Sequence, residues 1–333
     1  ISETTQVTTL ADLRRDLLHR VRGDTANTAT TNIADRLLNE ALVDVHDSPG
    51  AKFPWLERRD TLITHATYTT GTVAIAAATR TTVTGTSTLW NTAITGFGFN
   101  NARAGGKMKF SNNEVYEVST VGGDTSITLL TLYTGDALSA ASYTYFEDEY
   151  SLASDFAGFI DARYFSQIRN IPLIGRQQAR MWFPRNDVPS KPRAATLIQK
   201  AFSGSTSPAH RIVLYPPPDN EESFPYTYIT TNLAVSSGGA EQTQMTADTD
   251  EPIIPLRYRH VLVFHALYHW YRDRKDDSRS QEAKAEYVDF MTRMTGDTQV
   301  GQDRPRFVMS RRRGIPPRGR FNVNGRFETD LDW

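Results

Sequence analysis

Apolar side chains fall first on a helical period. Leu10, Leu13, Leu17, Leu18 and Val21 recur on one stripe, and Thr9 followed by Asp12 supplies a cap and an acidic first turn. The spacing predicts an amphipathic helix ending near Gly23. A second stripe, Ile33, Leu37, Leu38, Ala41, Leu42 and Val45, predicts a helix running from Asn32 to just before Pro49-Gly50. Helices this short are marginal alone, so both stripes are expected to pack against other parts of the chain. From about Asp60 the composition turns to threonine, valine and glycine and the period drops to two. Val73 and Ile75, Thr82 and Thr84, Met108 and Phe110, Val115 and Glu117, and Ile127 and Leu129 alternate between Gly85, Gly105-Gly106, Asn112-Asn113 and Gly122-Gly123. That pattern predicts a small antiparallel barrel or sandwich over 68–148.

Beyond it, Ala157 to Ile168 offers a further helix interrupted before Pro172, and the proline-rich stretch 171–210 should hold only short strands joined by loops. Arg211–Tyr215 and Tyr226–Thr231 are expected to form a hairpin across the turn Pro216-Pro-Pro-Asp219. Residues 232–250 are polar and glycine-containing, the composition of a mobile loop. After Pro255 the apolar positions Tyr258, Val261, Leu262, His265, Leu267, Tyr268 and Trp270 spread too widely for one narrow stripe, so this helix should be buried on more than one side. Tyr258, Leu262, Tyr268 and Trp270 are the candidates for an oligomer interface, with core packing as the commoner explanation. A last helix, Ser280 to Met294, carries Ala283, Tyr287, Phe290, Met291 and Met294 on one side.

The expected class is α+β: a helical bundle with an inserted small antiparallel β-barrel or sandwich module and an extended basic C-terminal arm. Residues 1–67 form the N-terminal helical part of the body and 68–148 the inserted β-module. Residues 149–300 form the rest of the helical body with its β-hairpin, discontinuous with 1–67, and 301–333 the arm.

The chain has 333 residues, enough for two or three units, and its 37 basic and 38 acidic side chains leave a formal charge of -1. Overall electrostatics therefore point to neither nucleic acid nor membrane. With no cysteine, disulfides, thiolate metal sites and cysteine nucleophiles are excluded. No apolar run approaches the roughly 18 residues of a membrane span, and the N-terminus lacks a basic segment followed by a hydrophobic one, so a soluble protein without an export signal is expected. Ile1 is not an initiator residue, which implies loss of at least a methionine.

His265 and His269 have the four-residue helical spacing of a two-histidine zinc motif, but Ala266, Leu267 and Tyr268 lie between them where such motifs place a glutamate. The sequence nominates no third ligand, so structural histidines are expected, with no metal and no cofactor. There is no Gly-x-Ser-x-Gly elbow and no phosphate-cradling glycine loop with its lysine, so the chain does not read as an enzyme or an ATP-driven motor.

The C-terminal arm has a different character. Eight arginines and no carboxylates lie between Arg304 and Arg326, interrupted by Arg313-Gly-Ile-Pro-Pro-Arg-Gly-Arg320. Such a segment cannot bury enough surface to fold alone. Its guanidinium groups suit either DNA phosphates or an acidic groove on a protein neighbour. The protein partner fits better, because an arm gripping DNA tightly would obstruct passage through a channel, whereas ordering on assembly suits this composition. Arg311, Arg312, Arg313 and Arg320 are assigned to charge pairing, with Phe321 and Phe327 as apolar anchors; a solvated tail without a partner is the plain alternative.

Four segments follow one another in a recognisable order: Arg211-Ile-Val-Leu-Tyr-Pro-Pro-Pro-Asp219, Tyr226-Thr-Tyr-Ile-Thr230, Ile253-Ile-Pro-Leu-Arg-Tyr-Arg-His-Val-Leu-Val-Phe-His-Ala-Leu267 and Glu286-Tyr-Val-Asp-Phe-Met291. This order resembles the C-terminal half of the head-to-tail connector adaptors of tailed bacteriophages. The stretch Thr81-Thr-Val-Thr-Gly-Thr-Ser-Thr-Leu-Trp90, with Glu114–Val118, Thr125–Leu129 and Tyr133-Thr-Gly135, is similar to β-modules of phage neck and tail proteins, although threonine-rich modules also occur in fibres and adhesins. The resemblance implies a structural virion protein made in the bacterial host cytoplasm. Its copies would form a cyclic homo-oligomer, matching the portal's twelvefold symmetry, at the neck between capsid and tail. Its partners would be the portal protein and a downstream neck or tail protein, with DNA passing through without sequence-specific binding, no membrane and no catalytic step. The rival classes are another phage tail or fibre-anchoring protein, and a glycan-binding or glycan-cleaving enzyme using the β-module and Trp90.

Overall fold

The computed structural model describes residues 8–47, 53–160, 164–166, 170–201, 208–299, 320–321 and 327–328. Among these it is a mixed α and β protein with five α-helices and several antiparallel sheets. Helix α1 (Leu10–Val21) starts at the expected Thr9, where a capping box pairs the Thr9 side chain with the Asp12 amide and the Asp12 carboxylate with the cap backbone. Its end is marked by Arg22 in the left-handed region at φ 51°. Helix α2 (Thr28–His46) begins four residues before the expected Asn32. The reason is Asn27, whose side-chain oxygen accepts from the amides of Ala29 and Thr30 and so satisfies donors that a later start would not require. A short 3-10 turn, Pro54–Leu56, leads into strand β1 (Glu57–Ile63).

Seven short strands follow: β2 (Thr72–Ile75), β3 (Thr82–Thr86), β4 (Lys107–Lys109), β5 (Val115–Gly123), β6 (Ser126–Leu129), β7 (Leu138–Ala141) and β8 (Thr144–Phe146). They form one antiparallel sheet in the order β7-β2-β3-β6-β5-β4-β8, curled into a half-barrel. Alternation decides which side faces in. Val73, Ile75, Val83, Met108, Tyr116, Val118, Ile127 and Leu129 are buried with Trp90 and Tyr145, while Thr84 and Val115 point out. Gly106 has a specific reason to be glycine, since a Cβ there would lie 2.1 Å from the Tyr145 hydroxyl. That ring is fully buried and its hydroxyl is fixed by Arg103 and Glu147, so it has nowhere to retreat.

The next segment departs most from expectation. Where a helix was expected from Ala157 to Ile168, the described residues form β10 (Phe156–Phe159) and β11 (Tyr164–Ser166), after β9 (Glu149–Ser151) and before β12 (Ile171–Pro172). Closely spaced aromatic residues fit a pleated face better than a helical stripe: Phe156, Phe159 and Phe165 pack with Tyr226 and Tyr228. Helix α3 (Arg176–Trp182), with no side-chain cap, was not anticipated. Two eight-residue strands, β13 (Ala194–Ala201) and β14 (Pro208–Tyr215), pair in full register, longer than the proline-rich sequence predicts. The expected hairpin between 211–215 and 226–231 does not form. Strand β14 lies between β13 and β9, whereas β15 (Ser223–Thr230) lies between β1 and β10. The prolines at 216–218 have no amide hydrogen to continue a ladder, so they carry the chain from one sheet to the other. Leu62, Tyr150, Ile212, Leu214 and Phe224 from the two sheets share one core with Phe165 of β11.

Residues 232–250 are fastened to the helices rather than held as a free polar loop. They contribute β16 (Ala234–Val235) and β17 (Glu241–Gln242), which join β18 (Glu251–Pro252) in a small sheet, and Leu233, Ala234 and Met245 are buried. Asp250 closes the turn: its Oδ2 accepts from the amides of Thr246 and Ala247, both at 2.7 Å, and the Ala247 bond leads in holding the carboxyl below the usual aspartate range. Helices α4 (His260–Asp273) and α5 (Asp277–Gln299) complete the helical part, and one apolar cluster unites α1, α2, α4 and α5. The last described strands, β19 (Arg320–Phe321) and β20 (Phe327–Glu328), pair with each other in antiparallel register.

Candidate functional site

Helix α4 was expected to be buried on more than one side, and it is. Leu262 is fully buried, Tyr258 and Trp270 are nearly so, and all three belong to the apolar cluster shared with α1, α2 and α5. The Tyr258 hydroxyl donates to Asp297 of α5 at 2.6 Å. These three candidate interface residues are therefore spent within the chain's own core. Tyr268 alone keeps a partly open ring, flanked by Arg272 and Lys284. Of the C-terminal candidates, Arg320 and Phe321 lie on β19 and Phe327 on β20, where the backbones of Arg320 and Glu328, and of Phe321 and Phe327, are register partners. Arg311, Arg312 and Arg313 lie outside the described residues.

The two α4 histidines have a neighbour that the sequence could not nominate. Asp44 on α2 places its Oδ2 3.2 Å from His265 Nε2, and the two imidazole centroids are 4.6 Å apart. One potential ligand atom from each of Asp44, His265 and His269 lies within 4.8 Å of the others. His265 is 5% exposed, and Tyr287 of α5 closes over it edge-on. Burial, reinforced by His269, pushes its pKa down to about 4, so the ring is neutral at ordinary pH. Burial and then Arg272 lower His269 as well. The only early sign of Asp44 is the spacing of Glu40 and Asp44, one turn apart on α2 and matching His265 and His269 on α4.

A second concentration of charge lies where the half-barrel meets the strands that follow it. Lys107 of β4 donates to Asp148 at 2.5 Å, Lys109 to Asp187 at 2.7 Å, and Lys200 of β13 reaches Glu117 of β5 and Glu149 of β9, each at 3.1 Å. Arg103 grips the buried Glu147 through two nitrogens. Asp148 is 2% exposed, and burial raises its pKa despite Lys107. Lys107, Glu117, Asp148, Glu149 and Asp187 border a cleft of about 620 Å³ whose other wall includes Arg176, Arg180 and Arg185 on and after α3. The same short helix turns Met181 and Trp182 outward, 79% and 57% exposed, with Val188 at 55% beyond it. Sequence reasoning missed this patch because seven residues with no cap carry no periodic signal.

Trp90, the residue on which a sugar-stacking site would depend, is fully buried in the half-barrel and donates to the Tyr143 hydroxyl at 2.9 Å. It offers no open ring face. No helix among the described residues is long and apolar enough to cross a membrane. No model of a known protein family matches the chain, and no curated protein matches it.

Proposed function

We propose that this chain is a head-to-tail connector adaptor of a tailed bacteriophage, a structural subunit whose copies close into a ring beneath the portal and extend the DNA channel. In this reading the helices α1, α2, α4 and α5 are one body interrupted by the half-barrel as an inserted module, and the residues after 300 are an arm. The observation that carries it is the α3 patch. Met181 and Trp182 are held in solvent beside Arg176, Arg180 and Arg185, the aromatic-plus-arginine composition of protein interfaces, at a place where a solitary soluble chain gains nothing from exposing them.

Ring closure would come from repeated contact between unlike faces of identical subunits, which closes when the rotation divides a full turn. The resemblance supplies the twelvefold expectation, the portal and a downstream neck or tail protein as partners, and a virion-neck location. In the arm, Arg311, Arg312, Arg313 and Arg320 would pair with carboxylates on a neighbour while Phe321 and Phe327 anchor in apolar pockets. Nothing in this function requires catalysis or a cofactor.

The test is native mass measurement of the full chain with negative-stain imaging, alone and with portal-bearing particles. A short closed ring that binds at the unique vertex supports the reading. A protein that stays monomeric and ignores the vertex, or a fibre trimer, overturns it. Removing residues 301–333 should leave a folded protein that no longer joins such particles.

A further inference from the structure

Zinc bound to imidazole nitrogen and carboxylate oxygen has bonds of about 2.0–2.2 Å, so a tetrahedral arrangement sets neighbouring ligand atoms about 3.3 Å apart. The His265 Nε2 to Asp44 Oδ2 separation is 3.2 Å, already that length. The remaining separations in the Asp44, His265 and His269 group are at most 4.8 Å, within reach of small side-chain rotations. We propose that these three residues bind a divalent first-row transition ion, with zinc as the reference case, bridging α2 to α4.

Four features of the surroundings favour this over a plain hydrogen bond between Asp44 and His265. First, ligand atoms from two helices already meet there, His265 Nε2 of α4 and Asp44 Oδ2 of α2, with His269 beside them. Second, the ring has one hydrogen bond for its two nitrogens, and Nδ1 is buried without a partner, so coordination does not have to break a second bond. Third, the Asp44 side chain is 49% exposed, which leaves a route in from solvent and room for water as a further ligand. Fourth, Glu40 adds negative charge near His269, although Arg272 opposes it. Two imidazoles with one carboxylate suit zinc, cobalt, nickel or copper, whereas magnesium and calcium prefer all-oxygen shells. The site is independent of ring assembly: it would fasten together two helices that are far apart in the sequence.

Untagged full-length protein, stripped with chelator and titrated with Zn2+, should take up one ion per chain and gain a few degrees in Tm. Co2+ in its place should give the intense visible absorption of a four-coordinate ion. Asp44→Asn and His269→Ala, at positions that are not fully buried, should each weaken uptake by about tenfold or more. His19→Gln, on the exposed side of α1, should bind like the wild type. Circular dichroism without metal checks that every variant is folded. Failure of the wild type to take up zinc, or equal uptake by the Asp44→Asn/His269→Ala double variant, would overturn the site, and neither result bears on whether rings form.

Discussion

Around α2 and α4 the protein is held by apolar contact: Leu38, Leu42, Val45, Val261, Leu262 and Ala266 are all fully buried, and the histidines among them are kept neutral. Where the half-barrel meets β9, β13 and the segment after α3, the contact is made by Lys107, Lys109, Lys200 and their carboxylates. An apolar core depends on volume and is indifferent to pH and salt, apart from its histidines. A charged seam depends on both partners being present, because a buried charge left alone is costly. The two regions should therefore fail under different perturbations.

The seam should give the largest single effect. Lys107→Met leaves Asp148 buried without its cation, and breaking a buried pair in this way costs about 3–5 kcal/mol. The loss measured by urea denaturation at neutral pH should shrink in the Lys107→Met/Asp148→Asn double variant, which removes the orphaned charge. If the double variant is as unstable as the single, the cost lies outside the orphaned Asp148 charge, with Glu149, 3.8 Å from the lysine nitrogen, as the next carboxylate to test.

In the helical region the matching experiment is Leu262→Ala, expected to cost about 2–5 kcal/mol through lost transfer energy and the cavity left behind. Hydrogen exchange decides how separate the regions are. Exchange that speeds up in α2 and α4 while the β5 and β6 amides stay protected would mark two units, whereas a uniform loss of protection would mark one cooperative core.

The same contrast explains what could be read from the chain. Helix α1 was legible because Thr9, Asp12 and the leucine stripe are neighbours in sequence, and the half-barrel was legible because alternation and glycine turns are local too. The pairing of β14 was not. Arg211–Tyr215 and Tyr226–Thr231 look like a hairpin because they are close in the chain, but β14 is claimed by β13 and β9 and β15 by β1 and β10. Helix α3 escaped for lack of a cap or a period. Asp44 was invisible beside His265 because only the packing of α2 on α4 brings them together. The strand pairing and the Asp44 contact are products of tertiary packing, whereas α3 simply leaves no local signal.

Acid should separate the regions by sign. His265 has a folded pKa of about 4 against an ordinary 6.5, so its contribution is complete above the unfolded value and is lost as pH falls through it. Between pH 7.5 and 5.5 that loss is about 1 kcal/mol, and His46, also lowered by burial, adds in the same direction. Asp148 behaves oppositely. Its folded pKa is raised, so its contribution is present at low pH and is lost as pH rises through the folded value. Denaturation curves across this range should show the wild type weakening towards pH 5.5, and His265→Gln should flatten that slope. An unchanged slope would mean that the ring gains a proton in place.

The smallest effect on stability is expected where the effect on association is largest. Trp182 is 57% exposed and makes no part of any core cluster, so Trp182→Glu should change the unfolding free energy by no more than about 0.5 kcal/mol. If the α3 patch joins copies, a carboxylate placed at its centre must lose its hydration on burial, so the ring should be absent in native mass spectra of a variant that is otherwise intact. A fully assembled Trp182→Glu ring would remove α3 from the interface and leave ring formation to other surfaces, with the partly open Tyr268 on α4 as the next residue to change. A variant that loses stability as well as assembly would show that Trp182 supports the cleft wall, and the exposed pair would then belong to the seam rather than to a partner.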